Sequence, residues 1–343
     1  AMATIMPTMT FLMSFISVLI ILIGSKQIDL GTMQIGDMMA FLQYAIHVLM
    51  SFMIVAMIFI MIPRSSVSAN RIFEVLETEP AIHDPEHPET LPEENQTISF
   101  HNVSFKYPNA EESVLRNITF DAKPGETVAF IGSTGSGKST LINLIPRFFD
   151  VTEGSIAFGD TDIRNIRQKD LRDRIGYIPQ KGILFSGTID SNLRYADDNA
   201  SEELIETALE VSQAKEFVDR MPDRLNEPIA QGGTNVSGGQ KQRLSIARAL
   251  VKNAQVYIFD DSFSALDYAT DARLREALNK LVEKTRSTVL IVAQRISTIR
   301  NADKIIVLDN CEITGIGTHD ELMKTCKVYQ EIAYSQLSEE ELA

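Results

Sequence analysis

Charge is almost absent from one end of this chain. Residues 1–62 hold three charged side chains, Lys26, Asp29 and Asp37, together with 11 of the 13 methionines, so nearly all the charge of the 343 residues lies beyond them. Two apolar stretches fill that region, from about Ala1 to Gly24 and from Met38 to Ile62. Each reaches the ~20 apolar residues that cross the hydrocarbon core of a bilayer, so two transmembrane helices are expected. Two buried helices of a soluble core are the alternative, and such length without charge speaks against it. The connector between the stretches has Lys26 as its only base, whereas Arg64 and Arg71 follow the second one. Positive charge collects on the cytoplasmic side, so residue 63 onward is expected there and the connector outside. The opening residues have no charged leader and no small-residue cleavage site, and so do not read as a signal peptide. The expectation is a chain whose front portion is missing.

On the second span, Gln43, His47, Met50, Ile54, Met57 and Met61 fall on one helical stripe. Polar groups at membrane depth face a bundle interior or a water-filled cavity, and methionine adapts to loosely shaped apolar ligands. The stripe is a candidate lining for amphipathic cargo; plain helix packing is the competing reading. Past Pro63, Ser66 to Leu76 continues as an amphipathic helix, and Glu79 to Glu94 carries four prolines among clustered acids. That composition predicts an extended linker, so 63–97 reads as a helix extension followed by a linker. His83 and His87 lie four apart inside it, but a proline-broken segment cannot hold them on one helix face as metal ligands.

The remainder is acidic, with a net charge of −14 for the whole chain. Non-specific nucleic-acid binding needs a positive field, so no nucleic-acid partner is expected. Cys311 and Cys326 have no CxxC or Cys/His spacing, which gives neither a disulfide framework nor a zinc site.

Within residues 98–343 the run Gly132-Ser133-Thr134-Gly135-Ser136-Gly137-Lys138-Ser139-Thr140 fits G-x-x-x-x-G-K-S/T. The apolar run Thr127 to Ile131 leads in as a strand and Leu141 to Ile145 leads out as a helix. The glycines let successive backbone N–H groups point at an anion, Lys138 reaches the β- and γ-phosphates, and the Ser139 hydroxyl holds Mg²⁺. Three further constellations follow. Tyr177 to Pro179 reads as a strand ending at the polar Gln180, whose amide can reach Mg²⁺ and an attacking water. Ser237-Gly238-Gly239-Gln240 opens a long amphipathic helix, a second anion-binding N-terminus. Gln255 to Phe259 is a buried strand ending in Asp260-Asp261, followed by Ser264-Ala265-Leu266-Asp267. A carboxylate at a strand end beside a phosphate loop is where Mg²⁺ is held.

In this order and at these spacings the motifs resemble the ATP-binding cassette (ABC) transporter family, in its exporter form with membrane helices ahead of the cassette. The resemblance covers 1–343. It implies an α/β P-loop NTPase fold, with a RecA-like core, an antiparallel β subdomain and a helical subdomain, preceded by two transmembrane α-helices. The expected domains are 1–62, two membrane helices; 63–97, helix extension and linker; and 98–343, the nucleotide-binding domain. It implies ATP and Mg²⁺ as cofactors, with Tyr107 stacked on adenine and the 132–140 loop on the phosphates. Ser139, Gln180 and Asp260 would hold the metal, Gln180 would couple cassette to membrane domain, and Ser237 to Gln240 would clamp a partner's ATP. Exporter halves of the family have six spans, and the two here look like the last pair.

Two positions depart from the family pattern. Where family members that hydrolyse ATP well have Glu after the Walker B Asp and His in the switch loop, this chain has Asp261 and Gln294. Asp is one methylene shorter than Glu, which leaves its carboxylate ~1 Å short of the attacking water, and a misplacement of that size can lower a rate ~100-fold. Gln cannot carry a positive charge toward the γ-phosphate. The Ser-Gly-Gly turn is intact, although Gln231-Gly232-Gly233 replaces the Glu-Arg-Gly common before it in exporters. Since family cassettes dimerise head to tail, the expectation is one half of a heterodimer. Its own site is slow, and its Ser237 turn completes a competent site on a partner that has the Glu and the His. The expected function is ATP-driven export of amphipathic, drug-like compounds across the plasma membrane, with membrane lipid around the helices. The alternatives are a homodimeric lipid or peptide exporter and a regulatory ATP-binding subunit. A soluble nucleic-acid ATPase would lack residues 1–62.

Overall fold

The computed structural model describes residues 2–91 and 95–336. Ala1, Pro92 to Glu94 at the end of the expected linker, and residues 337–343 lie outside the described residues. The chain forms two compact units that divide between Ala81 and Ile82.

The first unit is a helical hairpin of α1 (Met2–Asp29) and α2 (Ile35–Leu76). Both helices outrun the apolar stretches, so the connector shortens to residues 30–34. Pro63 lies inside α2, which continues through it to Leu76 without a break. At 1.5 Å per residue its 42 residues extend about 63 Å, about twice the ~30 Å hydrocarbon thickness. The less exposed positions form one stripe on each helix: Met9, Met13, Ile16 and Ile20 on α1, and Met38, Leu42, Ala45 and Leu49 on α2. Outward side chains include Phe11, Phe52 and Phe59, which are 70%, 64% and 73% exposed. Such a surface is costly in water and neutral in lipid, and both helices are long and apolar enough to cross a membrane. The Gln43–Met61 stripe is exposed as well, about a third of a turn round α2 from its packed face.

The second unit opens with an extended strap, residues 82–91. It continues through β1 (Ile98–Phe105), β2 (Leu115–Ala122), β3 (Thr127–Gly132), α3 (Lys138–Leu144), β4 (Glu153–Phe158), β5 (Thr161–Asp162), α4 (Gln168–Asp173) and β6 (Ile175–Ile178). A mostly helical excursion follows: β7 (Gly187–Thr188), α5 (Ile189–Arg194), α6 (Glu202–Val211), α7 (Lys215–Asp219), β8 (Pro228–Ile229) and α8 (Gly238–Val251). The chain then forms β9 (Val256–Asp260), α9 (Tyr268–Thr285), β10 (Thr288–Val292), α10 (Ile296–Ile299), β11 (Lys304–Asp309), β12 (Glu312–Gly317), α11 (His319–Thr325) and α12 (Lys327–Gln336).

Three layers result. A four-stranded sheet, β2-β1-β4-β5, is antiparallel, and a six-stranded sheet runs β12-β11-β3-β10-β9-β6. In the latter β11, β3, β10, β9 and β6 are parallel, and β12 closes one edge antiparallel. Side chains of a strand alternate between faces, and here both faces are covered, so the parallel strands read as unbroken apolar runs. Tyr257 and Phe259 of β9 enter the core on the α6–α8 side, while Val256 and Ile258 enter the core shared with α3 and the antiparallel sheet. β1 keeps its inner face for Ile98 and Phe100, then shifts register so that Val103 and Phe105 are buried too. Asn102, with φ of +48°, makes that shift.

The strap is not a free linker. Arg147 donates to the His83 carbonyl at 3.2 Å, the Gln168 N–H at the start of α4 donates to Asp84 Oδ1 at 2.8 Å, and Leu91 packs on the core. His83 and His87 are exposed, and no group of three or more metal-ligating side chains occurs among the described residues.

Candidate functional site

All five parallel strands end at one edge. In register, Val292 lies beside both Phe130 and Asp260, and Ile178 lies beside Phe259. Whatever follows β3, β6, β9 and β10 therefore meets there, where open α/β sheets bind ligands. The glycine loop, Gln180, Asp261 and Gln294 are separated by tens of residues in sequence, and this edge brings them together around a cleft of about 590 Å³.

The loop after β3 folds too tightly for side chains at two places. A Cβ on Gly132 would lie 1.9 Å from the Leu308 carbonyl oxygen. Gly137 has φ of +94°, and a Cβ there would lie 2.7 Å from the Val114 carbonyl oxygen. Lys138 opens α3 and folds back over the loop, donating to the carbonyls of Gly132 (3.0 Å) and Ser133 (2.7 Å) and to Ser136 Oγ (3.3 Å). Burial pulls its pKa down, and the charges of Asp261 and Asp260 oppose that shift. The backbone of 132–135, with Gly137 to Thr140, lines the cleft, while Ser136 turns inward and is buried.

The carboxylates at the end of β9 differ in their partners. Asp260 Oδ1 accepts from Ser139 Oγ at 2.8 Å, and its Oδ2 accepts from the Tyr177 hydroxyl at 3.3 Å. The same hydroxyl lies 2.9 Å from Asn143 Oδ1, so its single proton is shared between the two acceptors, and burial, followed by the Asp260 charge, drives its pKa upward. Asp261 sits at φ of +46°, which turns its side chain away from Asp260 toward the cleft. Its Oδ2 accepts from two amides at once, Gln180 Nε2 at 2.9 Å and Gln294 Nε2 at 2.7 Å. Burial raises the Asp261 pKa and the Asp260 charge adds to the rise; the Gln180, Gln294 and Lys138 contacts oppose it.

The other predicted residues are placed as follows. The Tyr107 hydroxyl is 3.0 Å from Thr140 Oγ1, and its ring meets Phe105 and Phe149 edge-on beside the loop. Ser237 to Gln240 does not line this cleft. It begins α8 as a capping box, with Ser237 Oγ accepting from the Gln240 N–H and Gln240 Oε1 accepting from the Ser237 N–H. Ser237 and Gly238 are exposed, and Gly239 opens the same first turn. Sequence reasoning missed three sets of contributors. Tyr177, itself bonded to Asn143, holds Asp260 Oδ2. Gln242, inside the Ser-Gly-Gly helix, donates to the Pro179 carbonyl and accepts from the Gly182 N–H, so it holds both sides of the Gln180 turn. Ile332, Ser335 and Gln336 of α12 line the cleft without any motif to mark them.

The family model described as ABC transporter matches residues 115–264, from β2 to just past Asp261. An uncharacterized ABC transporter ATP-binding protein of Mycobacterium tuberculosis is 42% identical over 339 residues, covering 97% of this chain and 57% of the relative. An ATP-dependent lipid A-core flippase of Desulfotalea psychrophila is 36% identical, covering 94% of this chain and 56% of that protein. The solved structure of a bacterial Atm1-family ABC exporter with ATP bound superposes with a TM-score of 0.82 at 28% identity, covering 97% of this chain and 58% of that one. The chain thus spans somewhat more than half the length of each of these three proteins. With the phosphate loop, the strand order and these matches in agreement, this chain carries an ATP-binding domain of the ABC transporter family, joined to two N-terminal apolar helices.

Proposed function

We propose that this chain is the ATP-binding half of an ABC exporter that moves amphipathic, drug-like compounds out of the cell by alternating access. It lies in the plasma membrane as part of a multi-pass bundle, with its cassette in the cytoplasm. Its partner is a different half-transporter that carries the Glu and the His this chain lacks, and its own ATP site turns over slowly.

The observation that carries this reading is the arrangement on Asp261. Its Oδ2 is occupied by the amides of both Gln180 and Gln294, within the cleft that holds the phosphate loop. A base that activates water needs a free lone pair at the water and a partner that can share the developing charge. The short Asp261 side chain is tied back by two neutral donors, and neither amide takes up a proton. Phosphate binding is a separate matter. Lys138 and the backbone of 132–137 form the cradle, Thr140 and Tyr107 lie at its side, and Ser237 and Gly238 at the start of α8 stay exposed for a partner's ATP.

Ser139 and Asp260 also suit Mg²⁺. A hydroxyl and a carboxylate oxygen 2.8 Å apart, with Asp260 nearly buried, are hard oxygen donors already converging on one point, and Gln180, whose amide would supply a further oxygen, lines the same cleft as Ser139. The metal, when bound, neutralises charge on the β- and γ-phosphates.

The test is steady-state ATPase of the purified chain, wild type beside Asp261→Glu/Gln294→His. Turnover near background in the wild type and about 100-fold faster in the variant is the expected outcome. Robust wild-type turnover would leave a self-sufficient homodimer, and a silent variant that still binds ATP would favour a regulatory subunit. A lipid cargo is the second reading, favoured by the flippase among the relatives. Movement of a labelled phospholipid across vesicles in preference to an amphipathic dye would decide for it.

A further inference from the structure

The switch segment after β10 is held from outside the motifs. Gln336, the last residue of α12, makes two hydrogen bonds to its backbone. Its Nε2 donates to the Gln294 carbonyl at 2.7 Å, and its Oε1 accepts from the Ile296 N–H at 2.9 Å. The orientation of this amide is fixed by its partners, since a carbonyl only accepts and an N–H only donates. The pair of bonds closes a ring round Arg295 in the manner of two paired strand residues. Arg295 in turn lies over the ring of Tyr268, at 4.9 Å, at the start of α9.

Gln336 is presented from a fixed base. Tyr329 and Ala333, seven and three residues earlier on the same face of α12, are fully buried, and the Tyr329 hydroxyl is 2.8 Å from His319 Nδ1. The helix is therefore pinned into the core while its end reaches over the cleft, where Ile332, Ser335 and Gln336 form part of the wall. The Gln294 side chain leaves the clamped backbone for Asp261 Oδ2. Displacing the Gln294 carbonyl would displace that amide with it.

We propose that Gln336 is a positioning residue for the ATP site: it sets the Gln294 backbone, and through it the amide that faces Asp261 and the γ-phosphate. The inference rests on the reading above that ATP lies in this cleft with its γ-phosphate toward Gln294. It makes the C-terminal helix part of how the site tells ATP from ADP, because ADP has no group at the Gln294 end.

Two measurements on the full chain test this, comparing wild type with Gln336→Ala and Gln336→Glu. The first is amide hydrogen exchange of Ile296 without nucleotide. Gln336→Ala should speed it on the order of 5-fold, as expected for one lost bond, while Gln336→Glu keeps an acceptor for that N–H and should leave it near the wild-type rate. The second is the ratio of ATP to ADP affinity, read with fluorescent analogues. It should fall ~5-fold in Gln336→Ala with ADP affinity unchanged, and to a lesser extent in Gln336→Glu, which cannot donate to the Gln294 carbonyl. Wild-type exchange in Gln336→Ala would overturn the clamp. Faster exchange with an unchanged ATP to ADP ratio would show a bond that only caps the helix and would overturn the positioning role. A wild-type chain that binds ADP and ATP alike would overturn the γ-phosphate placement itself, and the exchange data would still report separately on the clamp.

Discussion

The two ends of the cleft are built on different principles. At the phosphate end the groups are backbone N–H groups and one lysine, and the shape comes from glycines that lie too near other backbone to carry a side chain. At the other end two amide side chains from two different loops converge on a single carboxylate oxygen of Asp261, which lies on a third. A cradle of backbone tolerates almost any chemistry around it, because its donors are part of the chain. A catalytic end depends on the length and charge of individual side chains, so two substitutions of modest size can slow it without disturbing the cradle. On the function proposed above, binding and turnover are therefore separable.

Four measurements sharpen or break that separation. The largest effect should come from Lys138→Ala, which removes two charge-assisted bonds of about 2 kcal/mol each and should weaken ATP binding roughly 1000-fold. Equilibrium titration with ATP would show it, and an unchanged affinity would mean that the cradle does not rest on Lys138. Next in size is the paired Asp261→Glu/Gln294→His exchange. It should raise turnover about 100-fold while moving ATP affinity less than about 3-fold. If affinity moved as far as turnover, the two ends would be one unit.

Tyr177→Phe is smaller. It removes the hydroxyl that bridges Asn143 and Asp260, and should cost about 1 kcal/mol in urea unfolding. No loss would show that Asp260 is held by Ser139 alone. The smallest effect is expected for Asp261→Asn. Because burial raises the Asp261 pKa in the folded state, the ionised form is carried at a cost near neutral pH, and that cost is relieved as pH falls through the raised value. Asp261→Asn should thus melt slightly higher than wild type at pH 7, with the difference vanishing in acid. A lower melting temperature at pH 7 would show that the two amides stabilise the charged form by more than burial disfavours it.

Much of this was legible in the sequence, and the reason differs from case to case. The near-absence of charge over residues 1–62, broken only by Lys26, Asp29 and Asp37, marked the two long helices as apolar enough to cross a membrane. The glycine loop determined its own geometry, since Gly132 and Gly137 occupy backbone positions closed to other residues. Asp261 and Gln294 were readable as departures because their side chains differ in length and charge from what the chemistry asks for. Other features were not readable. Residues 66–76 read as a separate helix beyond Pro63, yet α2 runs through Pro63 as one helix, because one missing backbone bond is a small loss in a helix of 42 residues. The acidic, proline-rich stretch reads as a free linker, yet Asp84 caps α4 and Arg147 binds His83, partners 84 and 64 residues away.

The sequence by itself determined which residues could touch phosphate and which helices could enter a membrane, because both follow from local composition and backbone freedom. Only the tertiary structure decided that Gln180 and Gln294 share one oxygen of Asp261 and that Gln336 holds the switch segment. Those contacts depend on β10 lying between β3 and β9 and on α12 folding back over the strand ends, and no local pattern encodes where distant chain segments meet.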